Sequence, residues 1–161
     1  MIWKRIFIGL IIVLAVIQFF RPTRNQAATP SDNDINRKYT VPENVSAILQ
    51  RSCYDCHSNT TVYPWYANVQ PVAWWLDSHI RNGKKKLNFS EFLGYPLKRQ
   101  DHKLEELIEM IDEREMPLKS YLLIHRTAKL SADQVKLLKD WANGLRTDIQ
   151  AEMQQEIQAG I

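Results

Sequence analysis

The chain lacks the motifs that mark most catalytic sites. It contains no Ser/His/Asp order, no paired-carboxylate motif, no Gly-rich phosphate loop and no His-Glu-x-x-His sequence. Cysteine and histidine are scarce, with two and four residues among 161, and no internal repeat or low-complexity tract is visible. These absences give no reason to assign an enzymatic activity.

An excess of basic residues is also missing from most of the chain. The formal charge is +3, from 21 basic and 18 acidic residues, but Lys4, Arg5 and Arg21 flank the apolar N-terminus. The rest of the chain is balanced at 18 basic and 18 acidic residues. Because a nucleic-acid-binding domain needs a basic face of its own, we expect no nucleic-acid partner.

The N-terminus carries the longest apolar segment. Residues 6–20 form an apolar run broken only by Gly9 and Gln18, and two basic residues precede it. This pattern is typical of an export signal. We predict that residues 1–21 form a signal segment or a transmembrane anchor. We favour the uncleaved anchor, because the run does not end in the small residues that signal peptidase recognises.

The chain changes character near residues 22 and 41. Residues 22–40 are polar and rich in turn-forming side chains, which indicates a linker. From residue 41 onward, apolar residues recur at helical spacing and no clear alternating strand pattern is visible. We therefore predict an all-α fold, with a helical domain over residues 41–145 and a weakly amphipathic helical tail over residues 146–161.

Four helices are predicted within the domain from their apolar faces and their end signals. Pro42 opens the first, Gly83 is a natural stop for the second, Pro117 terminates the third, and Ser131 with Gln134 forms a capping-box start for the fourth. The four apolar faces consist of Val45, Ile48, Leu49 and Cys53; Val72, Trp75, Leu76, His79 and Ile80; Leu104, Leu107, Ile108 and Ile111; and Leu138, Trp141, Ala142 and Leu145.

The strongest chemical signal is the string Cys53-Tyr54-Asp55-Cys56-His57. Two thiols three residues apart, followed directly by an imidazole, have the spacing for covalent attachment of a c-type haem. In this interpretation Cys53 and Cys56 form thioethers with the haem vinyl groups, and His57 is the proximal iron ligand. We therefore predict one covalent haem c.

Two other interpretations of the cysteine pair are open. A redox dithiol usually lies in a strand-helix-strand context, which the sequence around Cys53 does not have. A structural zinc ion needs two further ligands, normally from a second close-spaced pair. The other histidines, His79, His102 and His125, are scattered singly. Haem is therefore the favoured interpretation.

Haem attachment also predicts a location. Thioethers to haem form outside the cytoplasm, so Cys53 must be translocated. We expect the domain on the periplasmic side of a bacterial inner membrane, held by a single-pass anchor with a cytoplasmic N-terminus.

The sixth iron ligand decides between an electron carrier and a catalyst or sensor. Met116, which precedes Pro117 in a loop late in the domain, is the preferred distal ligand. His79 and His125 are the alternatives. His79 lies on an apolar helix face, where a histidine is commonly a core residue. For His125, a hydrogen bond to a haem propionate is the other interpretation.

Several short strings carry a resemblance to a known family. They are Cys53 to Asn59 with Thr61, Tyr63 to Tyr66, Gln70 to Val72, His79-Ile80, Leu87 to Ser90, Met116 to Leu118, Tyr121, His125 and Leu130-Ser131, followed by Leu138 and Trp141. Over about residues 35–145 the chain resembles the bacterial haem-binding domain family of exported, membrane-tethered monohaem proteins. The resemblance implies haem at Cys53, Cys56 and His57, with Met116 the residue most like the distal ligand of a cytochrome c.

These observations predict a cytochrome c-like helical domain around one covalent haem that passes single electrons between redox protein partners. The alternative is a peroxidase-like enzyme or a ligand sensor with an open distal haem face. We favour the electron carrier, because no catalytic motif accompanies the haem-binding string.

Overall fold

The structure of the protein, a computed structural model, describes residues 2–160. Met1 and Ile161, the outermost residues of the expected anchor and tail, lie outside the described residues. Over the described range the chain forms seven α-helices and four short 3-10 helices, with an isolated bridge between Gln26 and Thr60 and no further β-structure. The all-α part of the predicted fold class is therefore confirmed. The α-helices are α1 (Ile2–Ile17), α2 (Glu43–Ser52), α3 (Tyr54–His57), α4 (Val72–Lys86), α5 (Leu97–Asp112), α6 (Lys119–Leu122) and α7 (Ala132–Ala159).

The core lies between α2, α5 and α7. Helices α5 and α7 make the most extensive contact between described elements, because each presents an apolar face at helical spacing. Ion pairs join the same two helices: Arg146 Nε lies 2.7 Å from Asp101 Oδ1, and Arg146 Nη2 lies 2.9 Å from Glu105 Oε1. The fully buried side chains of this core include Ile35, Val45, Leu49, Phe89, Phe92, Leu104, Leu138, Ala142 and Ile149.

Local end signals explain where several helices begin. The Ser131 hydroxyl accepts a hydrogen bond from the backbone N–H of Gln134, and the Gln134 side chain accepts one from the backbone N–H of Ser131. The predicted capping box at the start of α7 is therefore present. Helix α2 begins at Glu43, directly behind Pro42, as the sequence predicted.

Gly83 does not end the second predicted helix, and this expectation was wrong. Helix α4 continues to Lys86. A Cβ atom at Gly83 would lie 2.6 Å from the backbone oxygen of Cys56. The glycine therefore permits a close approach between α4 and α3, which is the other common reason for a glycine inside a helix.

The expected transmembrane anchor is contradicted. Helix α1 ends at Ile17 and has 16 residues, whose length of about 24 Å is short of the ~30 Å hydrocarbon core of a bilayer. Among residues 2–160, no helix combines the length and the apolar character needed to span a membrane. The single-pass anchor is therefore a wrong expectation, and the predicted location, held to an inner membrane by that anchor, is contradicted by the same finding.

Residues 22–40, interpreted as a linker, make specific contacts with the helical domain. The Asn25 side-chain amide donates hydrogen bonds to Ser58 O and to Thr61 Oγ1, at 2.8 and 2.9 Å. The backbone N–H of Ala27 donates to Asn59 O at 2.9 Å. Ile35 is fully buried in the core. We call residues 25–35 the strap, because they hold the start of the chain against the domain.

The expected tail over residues 146–161 continues α7 without a break. The helix runs to Ala159, and Gly160 ends it in the left-handed conformation, with φ of 74°. Ile149 is buried in the core, whereas the described residues beyond Met153 are exposed. The first turns of the tail therefore contribute to the packing of the domain.

Candidate haem site

Two adjoining cavities lie beside the Cys-x-x-Cys-His segment. Their volumes are about 160 and about 370 Å³, and both have mainly apolar walls. Together they fall within the range of about 300–1,000 Å³ that is typical of cofactor pockets. We call them the smaller and the larger lobe of one crevice, because they share a wall. The residues of this shared wall are Ser52, Cys53, His57, Lys86, Met116 and Pro117.

Helices α2 and α3 present the two thiols to the crevice. Helix α2 ends at Ser52, and the backbone N–H of Cys53 still donates to Leu49 O at 2.8 Å. The single turn of α3 follows directly, with a 2.9 Å hydrogen bond from the backbone N–H of His57 to Cys53 O. This turn places Cys56 on the wall of the smaller lobe and Cys53 on the wall of both lobes.

Both thiols are protonated at neutral pH. Burial raises the pKa of Cys53 to about 12, and the neighbouring Cys56 acts in the same direction. Burial and the Asp55 carboxylate raise the pKa of Cys56 to about 11. Thiol exchange and metal binding both use the thiolate, so this environment does not favour the redox dithiol or the zinc interpretation. Within residues 2–160, no three His, Cys, Asp or Glu side chains are grouped closely enough to hold a metal ion.

A backbone carbonyl orients His57. His57 Nδ1 lies 2.9 Å from Leu87 O. A carbonyl oxygen only accepts hydrogen bonds, so Nδ1 carries the hydrogen and Nε2 carries the lone pair. Burial lowers the pKa of His57, against the opposing effect of backbone hydrogen bonds to Leu87 and Gly83, so the ring is neutral. A neutral imidazole held through Nδ1–H is the usual arrangement of a metal-binding histidine.

Met116 lies in the turn that follows α5. The backbone N–H groups of Glu115 and Met116 both donate to Met110 O, at 3.0 and 3.1 Å. The Met116 side chain is half-buried and lines both lobes, as His57 does. The structure thus brings the preferred distal ligand to the same crevice as His57 and the thiols.

The two alternative histidines lie in different positions. His79 lines the smaller lobe only, where its Nδ1 lies 2.8 Å from Trp75 O and its ring packs against the Trp75 ring. His125 does not line either lobe. Its Nε2 lies 2.6 Å from Tyr66 Oη, and its ring stacks on Tyr121 at a centroid distance of 4.2 Å.

Tyr121 and Asp55 are site residues whose contact the sequence reasoning missed. Tyr121, on the wall of the smaller lobe, donates a 2.7 Å hydrogen bond to Asp55 Oδ2. Asp55 Oδ1 accepts a hydrogen bond from the backbone N–H of Val62 at 3.0 Å. Burial, followed by the bond to Asp55, raises the pKa of Tyr121, so its hydroxyl stays protonated. In the sequence, the only indication that Tyr121 belongs to the site is its place among the strings that carry the family resemblance.

Lys103 and Glu106 in the larger lobe were also missed. Only 10% of the Lys103 side chain is exposed, and its ammonium pairs with the Glu106 carboxylate at 2.5 Å. A buried ammonium requires such a partner. The spacing of three residues on a helix is the only sequence signal for this pair.

The residues of the crevice fit a haem. The two cysteines offer sulfur atoms for a tether, and His57 Nε2 and the Met116 thioether are the nitrogen and sulfur donors that haem iron accepts. The mainly apolar walls suit a porphyrin ring. On the shared wall, the Ser52 hydroxyl is buried and has no hydrogen-bond partner among the described residues.

A comparison with protein families agrees with this cofactor. The haem-binding domain family matches residues 12–144, which is most of the 161-residue chain. No curated protein and no solved structure matches the chain. The family match supports a haem cofactor, and the chain belongs to the haem-binding domain family.

Proposed function

We propose that the chain binds one haem covalently and transfers single electrons. In this proposal Cys53 and Cys56 hold the porphyrin through thioethers, His57 is the proximal iron ligand and Met116 is the distal ligand. The observation that carries the proposal is the shared wall of the crevice, on which His57 and Met116 both line the two lobes beside Cys53.

The surroundings of each side chain support its role. The Leu87 carbonyl keeps His57 in the tautomer whose Nε2 can donate to iron. The mainly apolar walls would surround a bound porphyrin with side chains that do not hold water. A thioether at Met116 is a soft ligand that favours ferrous over ferric iron. The bound haem would supply one reversible electron through its iron.

One observation favours a second ligand set. His79 lines the smaller lobe, and the contact of its Nδ1 with Trp75 O leaves Nε2 available to a ligand in that lobe. A haem with two histidine ligands would also carry electrons, at a lower potential than one with histidine and methionine. An open distal face would instead suit the peroxidase-like enzyme or the ligand sensor.

Three measurements on the whole chain, produced together with a bacterial haem-attachment machinery, test this proposal. Mass spectrometry should show the mass of one haem added to the chain, and acidified organic solvent should extract no haem. Absorption spectroscopy reports the spin state of the iron and its binding of carbon monoxide. The spectra should be low-spin in both oxidation states and unchanged by carbon monoxide. Extractable haem would contradict covalent attachment. Ready binding of carbon monoxide would contradict ligation by Met116 and favour the open distal face.

A further inference from the structure

The larger lobe combines apolar walls with a small group of charged side chains. Lys103 and Glu106 come from α5, and Lys86 is the last residue of α4. Glu109 is the remaining charged residue on this wall among the described residues, and it is exposed. The charges are therefore confined to the side of the crevice where α4 ends and α5 passes.

Lys103 is the most deeply buried of these charges. Its side chain is 10% exposed, against 39% for that of its partner Glu106. The hydrogen bond from Lys103 lowers the pKa of Glu106 against the effect of burial, and the charges of Lys103, His102 and Lys86 act in the same direction. Glu106 is therefore an anion that balances the buried ammonium. An ammonium has three donors, so two remain after the bond to Glu106.

The position of the thiols determines which edge of a haem lies near these lysines. In haem the vinyl groups lie along one edge of the porphyrin and the two propionates lie along the opposite edge. Cys56 lines only the smaller lobe and Cys53 lies on the shared wall, whereas Lys103 lines only the larger lobe. A porphyrin tethered at Cys56 would therefore direct its propionates away from the smaller lobe and toward the larger one.

We infer that Lys103, in the larger lobe, and Lys86, on the shared wall, bind the two haem propionates. This inference rests on the proposed function, since it takes the thioether edge of the haem from Cys53 and Cys56. Glu106 fixes the position of the Lys103 ammonium, and the free donors of that ammonium reach a propionate. Lys86, which is exposed on the shared wall, binds the second carboxylate at the mouth of the crevice. Bonds from an ammonium to a carboxylate are about twice as strong as neutral hydrogen bonds.

The haem-loaded full-length protein and its Lys103→Met and Lys86→Met variants provide the test. Resonance Raman spectra report the propionate-bending bands, which respond to hydrogen bonding at the propionates. Potentiometry reports the reduction potential. We expect both variants to shift the propionate bands and to lower the potential, because each loses a positive charge that favours the reduced iron. Lys103→Arg should restore most of the wild-type potential.

Lys136→Met is the matched control. Lys136 pairs with Asp140 on the exposed face of α7 and lines neither lobe. We expect this variant to keep the wild-type bands and potential. If Lys103→Met does not fold because it leaves Glu106 without its partner, Lys86→Met still tests the inference. Lys86 is exposed, so its replacement should not prevent folding.

The outcomes separate this inference from the proposed function. A wild-type chain without covalent haem would overturn both. A haem-loaded wild-type chain whose Lys86→Met and Lys103→Met variants have unchanged propionate bands would overturn the inference alone. A lower potential in Lys136→Met, equal to that in Lys103→Met, would also overturn it, because the effect would then come from net charge and not from contact.

Discussion

Tyr121 Oη donates a 2.7 Å hydrogen bond to Asp55 Oδ2, and Asp55 lies between the two cysteines of the Cys-x-x-Cys-His segment. This bond joins α6 to α3, and the same carboxylate also holds the backbone N–H of Val62. One side chain therefore connects three parts of the chain around the smaller lobe.

Removal of the Tyr121 hydroxyl should loosen this wall. We expect Tyr121→Phe to lower the free energy of unfolding by about 1–2 kcal/mol, since a half-buried hydrogen bond to a carboxylate is lost. A double-mutant cycle with Asp55→Asn, followed by urea unfolding, measures the coupling. The amide oxygen that Asp55→Asn introduces would still accept the hydrogen bond from Val62. Additive effects of the two changes would show that the bond contributes nothing.

The thiols should give the haem-free protein a stability that depends on pH. Cysteine ordinarily titrates near pH 9.0, whereas burial raises the pKa values of Cys53 and Cys56 to about 12 and about 11. Because the folded values lie above the unfolded one, this stability is fully present below about pH 9, falls as the pH rises above that value, and is fully lost once the pH has risen through the folded values.

The double variant Cys53→Ala/Cys56→Ala, which has no thiols, is the control for this pH dependence. Urea unfolding between about pH 8 and pH 10 should show a steeper loss of stability in the wild-type chain than in the double variant. Both proteins must be produced without the haem-attachment machinery, since thioethers do not titrate. Equal slopes would mean that the thiols are more hydrated than the structure indicates.

Gly83 should tolerate no side chain. A Cβ atom there would lie 2.6 Å from Cys56 O and 3.1 Å from Cys56 Cβ. We therefore expect Gly83→Ala to lower the free energy of unfolding by about 1–3 kcal/mol, as overpacking does. It should also displace α3 and reduce the yield of covalent haem.

Gly144→Ala is the control for this steric effect. Gly144 also lies within a helix, but nothing stands within 4 Å of a Cβ atom built on it. The alanine variant should be more stable than the wild-type chain by about 0.5–1 kcal/mol, because glycine is a poor helix former. A similar loss at both glycines would assign the effect of Gly83→Ala to something other than contact with Cys56.

Met116→Ala should open the distal face of the haem. We expect a high-spin or water-ligated iron, a lower reduction potential and new binding of carbon monoxide, because the thioether is removed. His79→Ala and His125→Ala should keep the native spectrum. An unchanged spectrum in Met116→Ala together with an altered one in His79→Ala would instead indicate two histidine ligands.

The features that could be read from the sequence are those with local causes. The capping box of Ser131 and Gln134 and the start of α2 behind Pro42 depend on neighbours within one turn, and both are present. Gly83 looks like a helix stop in the sequence, yet the reason for a glycine at this position is the close approach of Cys56, which lies on another helix. Contacts between distant segments leave little mark in a single sequence.

The N-terminal helix illustrates the same limit. The apolar run suggested a segment that reaches Phe20, but Gln18 and Phe20 accept hydrogen bonds from residues of the helical domain. The Gln18 side chain accepts a hydrogen bond from the backbone N–H of Gln70 at 3.0 Å, and Phe20 O accepts one from the Trp74 indole at 2.8 Å. The helix ends at Ile17, before these two residues, and hydropathy alone does not predict contacts with distant segments.

The strap limits how the protein can be shortened. A fragment that begins at residue 41, where the composition changes, would lose Asn25. It would thereby lose the hydrogen bonds that hold Ser58 and Thr61, which lie within four residues of His57. It would also lose Ile35 and leave a hole in the core. The shortest fragment suited to crystallisation or solution NMR therefore starts before Asn25, and one cut at residue 41 should show a disordered loop beside His57.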